Sequence, residues 1–204
     1  MSPVRAVLAT RNAHKVEEIA VLLADPLPSL ELLPLDGPGL PAVPDVVESG
    51  TTFAANALLK ARAACAATGL PALADDSGLC VDVLGGAPGV FSARWAGRHG
   101  DDAANLALLL AQLADVPDAE RGAAFVCAAA LVLPGGGEVV HHGRLAGVLA
   151  RAPRGAGGFG YDPAVVPEGE TRTLGEMSAK EKNAVSHRAR AFGALAREMR
   201  ALLG

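Results

Sequence analysis

Aromatic residues are scarce in this chain: five Phe, one Tyr and one Trp make up 3% of its 204 residues. A core of stacked rings is thereby excluded, and the 50% of residues that are hydrophobic must pack mainly as Ala, Leu and Val. Such a core is aliphatic and partly helical. Positive charge is not in excess either, since the formal net charge is −4 and no long basic run occurs. That argues against a general binder of nucleic acid or anionic membranes and leaves room for a local basic pocket around a small anion. The three cysteines, Cys65, Cys80 and Cys127, are odd in number and show no C-x-x-C spacing. They read as reduced core thiols of a cytoplasmic protein, not as disulfides or zinc ligands. The longest apolar run, Ala123 to Leu133, is well short of the ~20 residues that span a bilayer. Met1 to Thr10 lacks the basic start and sustained apolar core of a secretory leader. A soluble protein is expected, with neither membrane nor nucleic acid as partner.

What is present alternates between strand and helix signals. Val4 to Ala9 reads as a strand, and Asn12 to Ala24 as a helix with Val16, Ile19, Ala20 and Leu23 at helical spacing. Leu27 to Pro44 holds five prolines and no periodicity, so it reads as strand pieces and loop. A helix runs from an N-cap at Thr51 or Thr52 to about Thr68, before Gly69 and Pro71. Pro71 to Asp75 reads as a strand ended by a Ser77-Gly78 turn, with a further apolar piece over Leu79 to Leu84. Asp101 or Asp102 caps a helix through Leu113, and Ala123 to Leu133 forms a hairpin with Glu138–His142. Gly155 to Pro163 reads as a glycine-rich loop, and one last helix covers Ala179 to Leu203. The pattern predicts a single α/β domain over 1–204 with a mixed sheet, because a hairpin interrupts the alternation.

Each polar cluster has an ordinary structural reading beside a functional one. Asp75 and Asp76 are adjacent carboxylates at a strand end, which suits a metal, a shared proton or simply an exposed turn. Thr10-Arg11-Asn12-Ala13-His14-Lys15 precedes a helix whose free N–H groups favour an anion, though Thr10 or Asn12 also serves as a plain cap. Asn56 and Lys60 share a helix face, and Glu48 lies in the loop before them. Gly155 to Gly160 fits G-x-G-x-x-G literally, but Pro163 forbids the helix a dinucleotide fold needs at that point. A loop that sets Phe159 and Tyr161 beside a planar ligand is better motivated. Lys182, Ser186, His187 and Arg188 are polar residues surplus to the aliphatic stripe of the last helix. His141-His142 makes no metal pair, because neighbours in a strand point to opposite faces.

In order, these pieces resemble the inosine/xanthosine triphosphate pyrophosphatases, which clear non-canonical purine nucleotides. The matching residues are Thr10-x-Asn12-x-x-Lys15, Glu48 through Phe53, Asn56-Ala57 with Lys60-Ala61, and Ala74 to Leu79. They continue with Pro88 to Trp95, Gly158 to Pro163, Glu176-Met177, Lys182-Asn183 and Ser186-His187-Arg188. The resemblance implies an elongated two-lobed α/β fold with a central mixed sheet flanked by helices and a nucleotide cleft between the lobes. It also implies a homodimer, a Mg²⁺ requirement and the reaction NTP + H₂O → NMP + PPi on dITP, ITP and XTP, by attack of water on the α-phosphorus.

Carried over residue by residue, the resemblance makes Asp76 the base and Glu48 with Asp76 the Mg²⁺ ligands, with Asp75 a weaker candidate. Lys15, Lys60 and Lys182 hold phosphates and offset developing charge, while Thr10, Arg11, Asn12, Ala13 and His14 line the phosphate loop with Asn56 and Ser77 alongside. Phe159, Gly160, Tyr161 and Asp162 form the base-binding loop, Phe159 stacking on the purine, and His187 and Arg188 donate to its O6. The chain departs from the family pattern in three places: Ala164-Val165 stands where an aromatic is usual, His142 where an acidic residue is and Gly175 where an alanine is. None belongs to this chemistry. The septum-inhibitor type of nucleotide pyrophosphatase opens with Ser-x-x-Arg instead, and a non-catalytic nucleotide sensor has no need of the full carboxylate set.

Overall fold

Burial on both faces of the central strands organises the molecule. The computed structural model describes residues 3–203. In chain order its elements are β1 (Val4–Leu8), α1 (Ala13–Ala24), β2 (Leu30–Pro34), α2 (Phe53–Thr68), β3 (Ala72–Val81) and α3 (Asp102–Gln112). They are followed by β4 (Gly122–Val132), β5 (Glu138–Leu149), β6 (Val165–Pro167), α4 (Ala179–Val185) and α5 (His187–Leu203). The six strands form one sheet in the order β2-β1-β3-β4-β5-β6. β1 runs parallel to β2 and β3 whereas β5 and β6 are antiparallel, so the sheet is mixed as expected. No helix of the described residues is long and apolar enough to cross a membrane.

The chain divides into two compact units, and the division falls inside β3 after Asp76, inside β4 after Val126, inside β5 after Gly143, and after His187. In the first unit the period of two along each strand sorts side chains into two cores. Ala6, Leu8, Leu73, Cys127, Ala129 and Leu131 pack with Ile19 and Leu23 of α1 and Phe192, Leu195 and Met199 of α5. Their neighbours Val7, Ala9, Ala72, Ala74, Ala128 and Ala130 pack with Ala57, Ala61 and Ala64 of α2. Burial of both faces is why β4 reads as one continuous apolar run.

In the second unit Leu79, Val81, Leu106, Leu109, Phe125, Leu145, Tyr161 and Leu174 share a core. The buried Arg121 there donates to the carbonyls of Leu149 at 2.8 Å, Leu113 at 2.6 Å and Ala150 at 3.0 Å. Arg121→Met removes donors from three carbonyls at once, so a loss of about 2 kcal/mol is expected. Urea unfolding of the variant checks it, and an unchanged midpoint would show that water satisfies those carbonyls equally well.

Two local expectations are corrected. The Ser77-Gly78 turn does not form, and β3 continues through both residues to Val81. Turn-favouring chemistry loses to pairing inside a sheet, where β1 flanks only the start of β3, at Ala72 and Leu73, and β4 is its other neighbour. The last helix is not continuous. α4 ends at Val185, Ser186 is extended at φ −63°, ψ 153°, and α5 starts at His187. Ser is favoured where one helix must stop and the next must be capped.

Candidate functional site

Continuity of β3 decides how the two aspartates are used. Asp75 takes the face of Leu73 and Asp76 the face of Ala74, so adjacent carboxylates point to opposite sides of the sheet. On the α2 side, Asn56 Nδ2 donates to Asp76 Oδ2 at 3.1 Å and Lys60 Nζ to Asp76 Oδ1 at 3.3 Å. The same ammonium donates to Glu48 Oε1 at 2.6 Å. α2 delivers Asn56 and Lys60 one turn apart, from a start capped by Thr52, whose side chain accepts from Ala55 N. Glu48 comes from the connection before it, which closes onto the helix where Gly50 N donates to Asn56 Oδ1 at 2.8 Å. Gly50 has to be glycine: a Cβ there would lie 2.6 Å from Asn56 Oδ1 and 2.8 Å from Ala55 Cβ.

Burial raises the Asp76 carboxyl above its ordinary range, opposed by Lys60 and assisted by the Glu48 charge. For Lys60, burial acts downward, but Asp76, Asp75 and Glu48 together hold its ammonium above the usual lysine value. Lys60 is therefore a fixed cation and not a proton acceptor at neutral pH.

On the opposite face, Asp75 has a fully buried side chain and accepts from Lys15 Nζ at 2.9 and 3.1 Å and from Arg188 Nε at 3.4 Å. Burial alone would raise its carboxyl. Lys15, Arg188 and Lys60 instead hold it far below the carboxylate range. Arg188, 2% exposed, also donates through Nη1 to Glu18. Lys15 follows the N-terminus of α1, where Asn12 Oδ1 accepts from Lys15 N at 3.3 Å and Thr10 Oγ1 from Asn12 N at 3.2 Å. Ala13 and His14 are exposed in the first turn of that helix.

The second unit holds the glycine-rich loop. Asp162 Oδ2 accepts from Phe159 N at 2.9 Å and from Lys182 Nζ at 2.7 Å, and that ammonium stands 4.6 Å from the centre of the Phe159 ring. Gly158 adopts φ +71°, and a Cβ on it would strike the Asp162 carboxylate. Gly160 N donates to Asp102 Oδ2 at 2.9 Å. His187 stacks on Phe125 with ring centres 4.8 Å apart and planes at 12°. Ser77 is half-buried in β3 just beyond Asp76.

Several expected roles change with this geometry. Tyr161 does not stand beside a ligand: it is buried and its hydroxyl donates to Ser92 O at 2.9 Å. Lys182, 4% exposed, is committed to Asp162 and the Phe159 ring, so it supports the loop where contact with phosphate was expected. The Arg11 side chain turns to Asp36, Asp45 and the Val43 carbonyl.

The donor set also tests the fit of a divalent cation. Among the described residues no group of three or more His, Cys, Asp and Glu side chains converges as a metal site. Mg²⁺ needs less than that, since one or two carboxylates with substrate phosphates and water complete its shell. Glu48 and Asp76 already share one cation, the Lys60 ammonium, and so fit that requirement. Asp75 does not, both of its oxygens being engaged by Lys15.

A family model described as the Ham1 family matches residues 6–198. The chain belongs to the Ham1 family. A relative named dITP/XTP pyrophosphatase from Streptomyces coelicolor is 63% identical over 200 residues, 98% of this chain and 99% of that one. Another of the same name, from Mycobacterium tuberculosis H37Rv, is 56% identical and covers 97% of this chain and 96% of its own. Among solved structures, the nucleoside-triphosphatase / dITP/XTP pyrophosphatase of Mycobacterium abscessus is 54% identical with a TM-score of 0.77, covering 94% of this chain and 98% of that chain. A HAM1 protein from Coxiella burnetii is 41% identical with a TM-score of 0.86, covering 97% of this chain and 99% of that chain.

Within this Ham1 chain, sequence reasoning missed three groups. Glu18 pairs with Arg188, and its position one turn after Lys15 on α1 was the available signal. Phe125, in an apolar run, gave no sign of its stacking on His187. Asp36 and Asp45, in a proline-rich loop, gave none of their contact with Arg11.

Proposed function

We propose that this chain hydrolyses dITP, XTP and ITP to the nucleoside monophosphate and pyrophosphate, as a single catalytic domain spanning 1–204. The observation that carries the reading is the buried Asp76 carboxylate, oriented by Asn56 and sharing the Lys60 ammonium with Glu48. The names of the Ham1 relatives support the substrate class.

Asp76 takes the proton of the attacking water, the new bond forms from that oxygen to the α-phosphorus, and the bond to the bridging oxygen breaks to release pyrophosphate. Asn56 and Lys60 hold its carboxylate in place for that proton transfer. Glu48 and Asp76 hold Mg²⁺, which when bound with the substrate phosphates supplies charge neutralisation and polarisation. Lys60, protonated throughout the neutral range, offsets negative charge that develops on the phosphates. Lys15 and the N-terminal turn of α1, with Thr10, Asn12, Ala13 and His14, receive the phosphate tail, because the free N–H groups and dipole there favour an anion. Ser77 adds a hydroxyl donor to the same tail.

Phe159 stacks on the purine, held by Asp162, Lys182 and the turn at Gly160. His187 favours an acceptor at purine O6 over the amino group of adenine, and Arg188, tied to Asp75 and Glu18, supports it from the next position. The protein works as a homodimer in the cytoplasm, with neither nucleic acid nor membrane as partner.

Purified protein incubated with Mg²⁺ and dITP, with dGTP in parallel, is expected to release pyrophosphate far faster from dITP, free phosphate being measured separately. Release from neither, with nucleotide still bound, would make the chain a sensor and overturn the catalytic roles.

A further inference from the structure

Arg11 stands in the loop that receives phosphate, yet almost all of its donors are spent on protein. Nε and Nη2 donate to the two oxygens of Asp36 at 3.1 and 3.3 Å, Nη1 to Asp45 Oδ1 at 2.7 Å, and Nη2 also to Val43 O at 2.8 Å. All three acceptors belong to the connection between β2 and α2, which has neither helix nor strand from Leu35 to Thr52. That connection carries Glu48.

We propose that Arg11 is a positioning residue: its guanidinium ties the Glu48-bearing connection to the phosphate loop and does not itself bind substrate. The inference rests on the assignment of Glu48 and Asp76 above. A long irregular connection pays a loop entropy that its few anchors must offset. Leu35 and Val43 anchor it in the core beside α2, and Gly50 N anchors it to Asn56 at 2.8 Å. Between Val43 and Gly50, Asp45 contacts Arg11 and Glu48 contacts Lys60. Arg11 thus holds the segment three residues before Glu48. It is joined through one peptide bond to Asn12, the residue that caps α1 and sets Lys15 N.

A planar fork is needed to reach two carboxylates and a carbonyl together, which the point charge of Lys cannot do. The Asp36 and Asp45 side chains are 62% and 95% exposed, so these pairs add little to global stability. Their effect is therefore local, on where Glu48 sits.

The test compares Arg11→Ala, Arg11→Lys, Asp45→Ala and the Arg11→Ala/Asp45→Ala double variant, by amide hydrogen exchange of metal-free protein and by dITP turnover at varied Mg²⁺. Each variant is expected to exchange faster over 43–50 with an unchanged unfolding midpoint. The Mg²⁺ needed for half-maximal rate should rise about 3- to 10-fold, with no further rise in the double variant, as for two residues of one contact.

If Arg11 bound phosphate instead, Asp45→Ala would leave activity intact or improve it while Arg11→Ala raised KM for dITP, and the proposal would fail. Unchanged exchange over 43–50 in all variants overturns it as well. Faster exchange over 43–50 in the variants, together with a wild type that itself releases no pyrophosphate, would instead sink the assignment of Glu48 and Asp76 and leave the clamp standing.

Discussion

Asp76→Asn is expected to lower the kcat for pyrophosphate release about 10²- to 10⁴-fold while leaving the protein folded. The amide keeps the shape of the carboxylate and its one oxygen still accepts from Asn56 Nδ2 or Lys60 Nζ, so one of the two contacts persists. What it removes is the charge, and with it both the proposed proton acceptor and one of the two proposed metal ligands. Stability should not suffer. A carboxyl whose folded pKa is raised by burial opposes folding as pH rises through that value, so an ionised Asp76 is a burden at neutral pH. A urea midpoint equal to wild type, or higher, belongs with the activity loss. A variant that keeps more than about one tenth of the wild-type rate would show that another group accepts the proton.

Asp75→Asn should behave in the opposite way, losing about 3 kcal/mol of stability at pH 7. Its carboxylate, fully buried, is the negative charge between Lys15 and Arg188. Neutralising it leaves an ammonium and a guanidinium facing each other across a buried site, with Glu18 remaining on the Arg188 side only. The pH dependence follows from the direction of the shift. Lys15 and Arg188 outweigh burial and depress the folded pKa, so the stabilisation is complete above the unfolded value of about 3.9 and is lost as pH falls below it. Urea unfolding at pH 7 should separate wild type from variant, and at pH 3 the gap should narrow. Equal stability at pH 7 would mean that Glu18 and solvent replace Asp75, and that the ion pairs of this face are dispensable.

Much of the architecture was legible because it rests on local chemistry. The apolar spacing of Ile19 and Leu23 foretold α1, and of the alternatives Thr51 or Thr52 and Asp101 or Asp102 the caps are Thr52 and Asp101. The Pro134-Gly135-Gly136-Gly137 stop foretold the β4–β5 hairpin. Errors arose where a local preference met a tertiary one. Ser77-Gly78 has the composition of a turn but lies in a central strand, and the last helix breaks at Ser186 although its aliphatic stripe continues. Tyr161 was read as a ligand-facing ring because its loop is glycine-rich, whereas its hydroxyl has a carbonyl partner inside the core.

The sequence by itself determined the family, the alternation of strands and helices, and the set of charged residues available for chemistry, since residue type and order carry all three. Only the tertiary structure decided which charge serves which purpose. A strand that runs straight through Asp75-Asp76 sends neighbouring side chains to opposite faces, one to Lys15 and Arg188, the other to Asn56, Lys60 and Glu48. Two identical residues thereby acquire opposite pKa shifts, because burial acts on both while the cations around them differ in number and closeness.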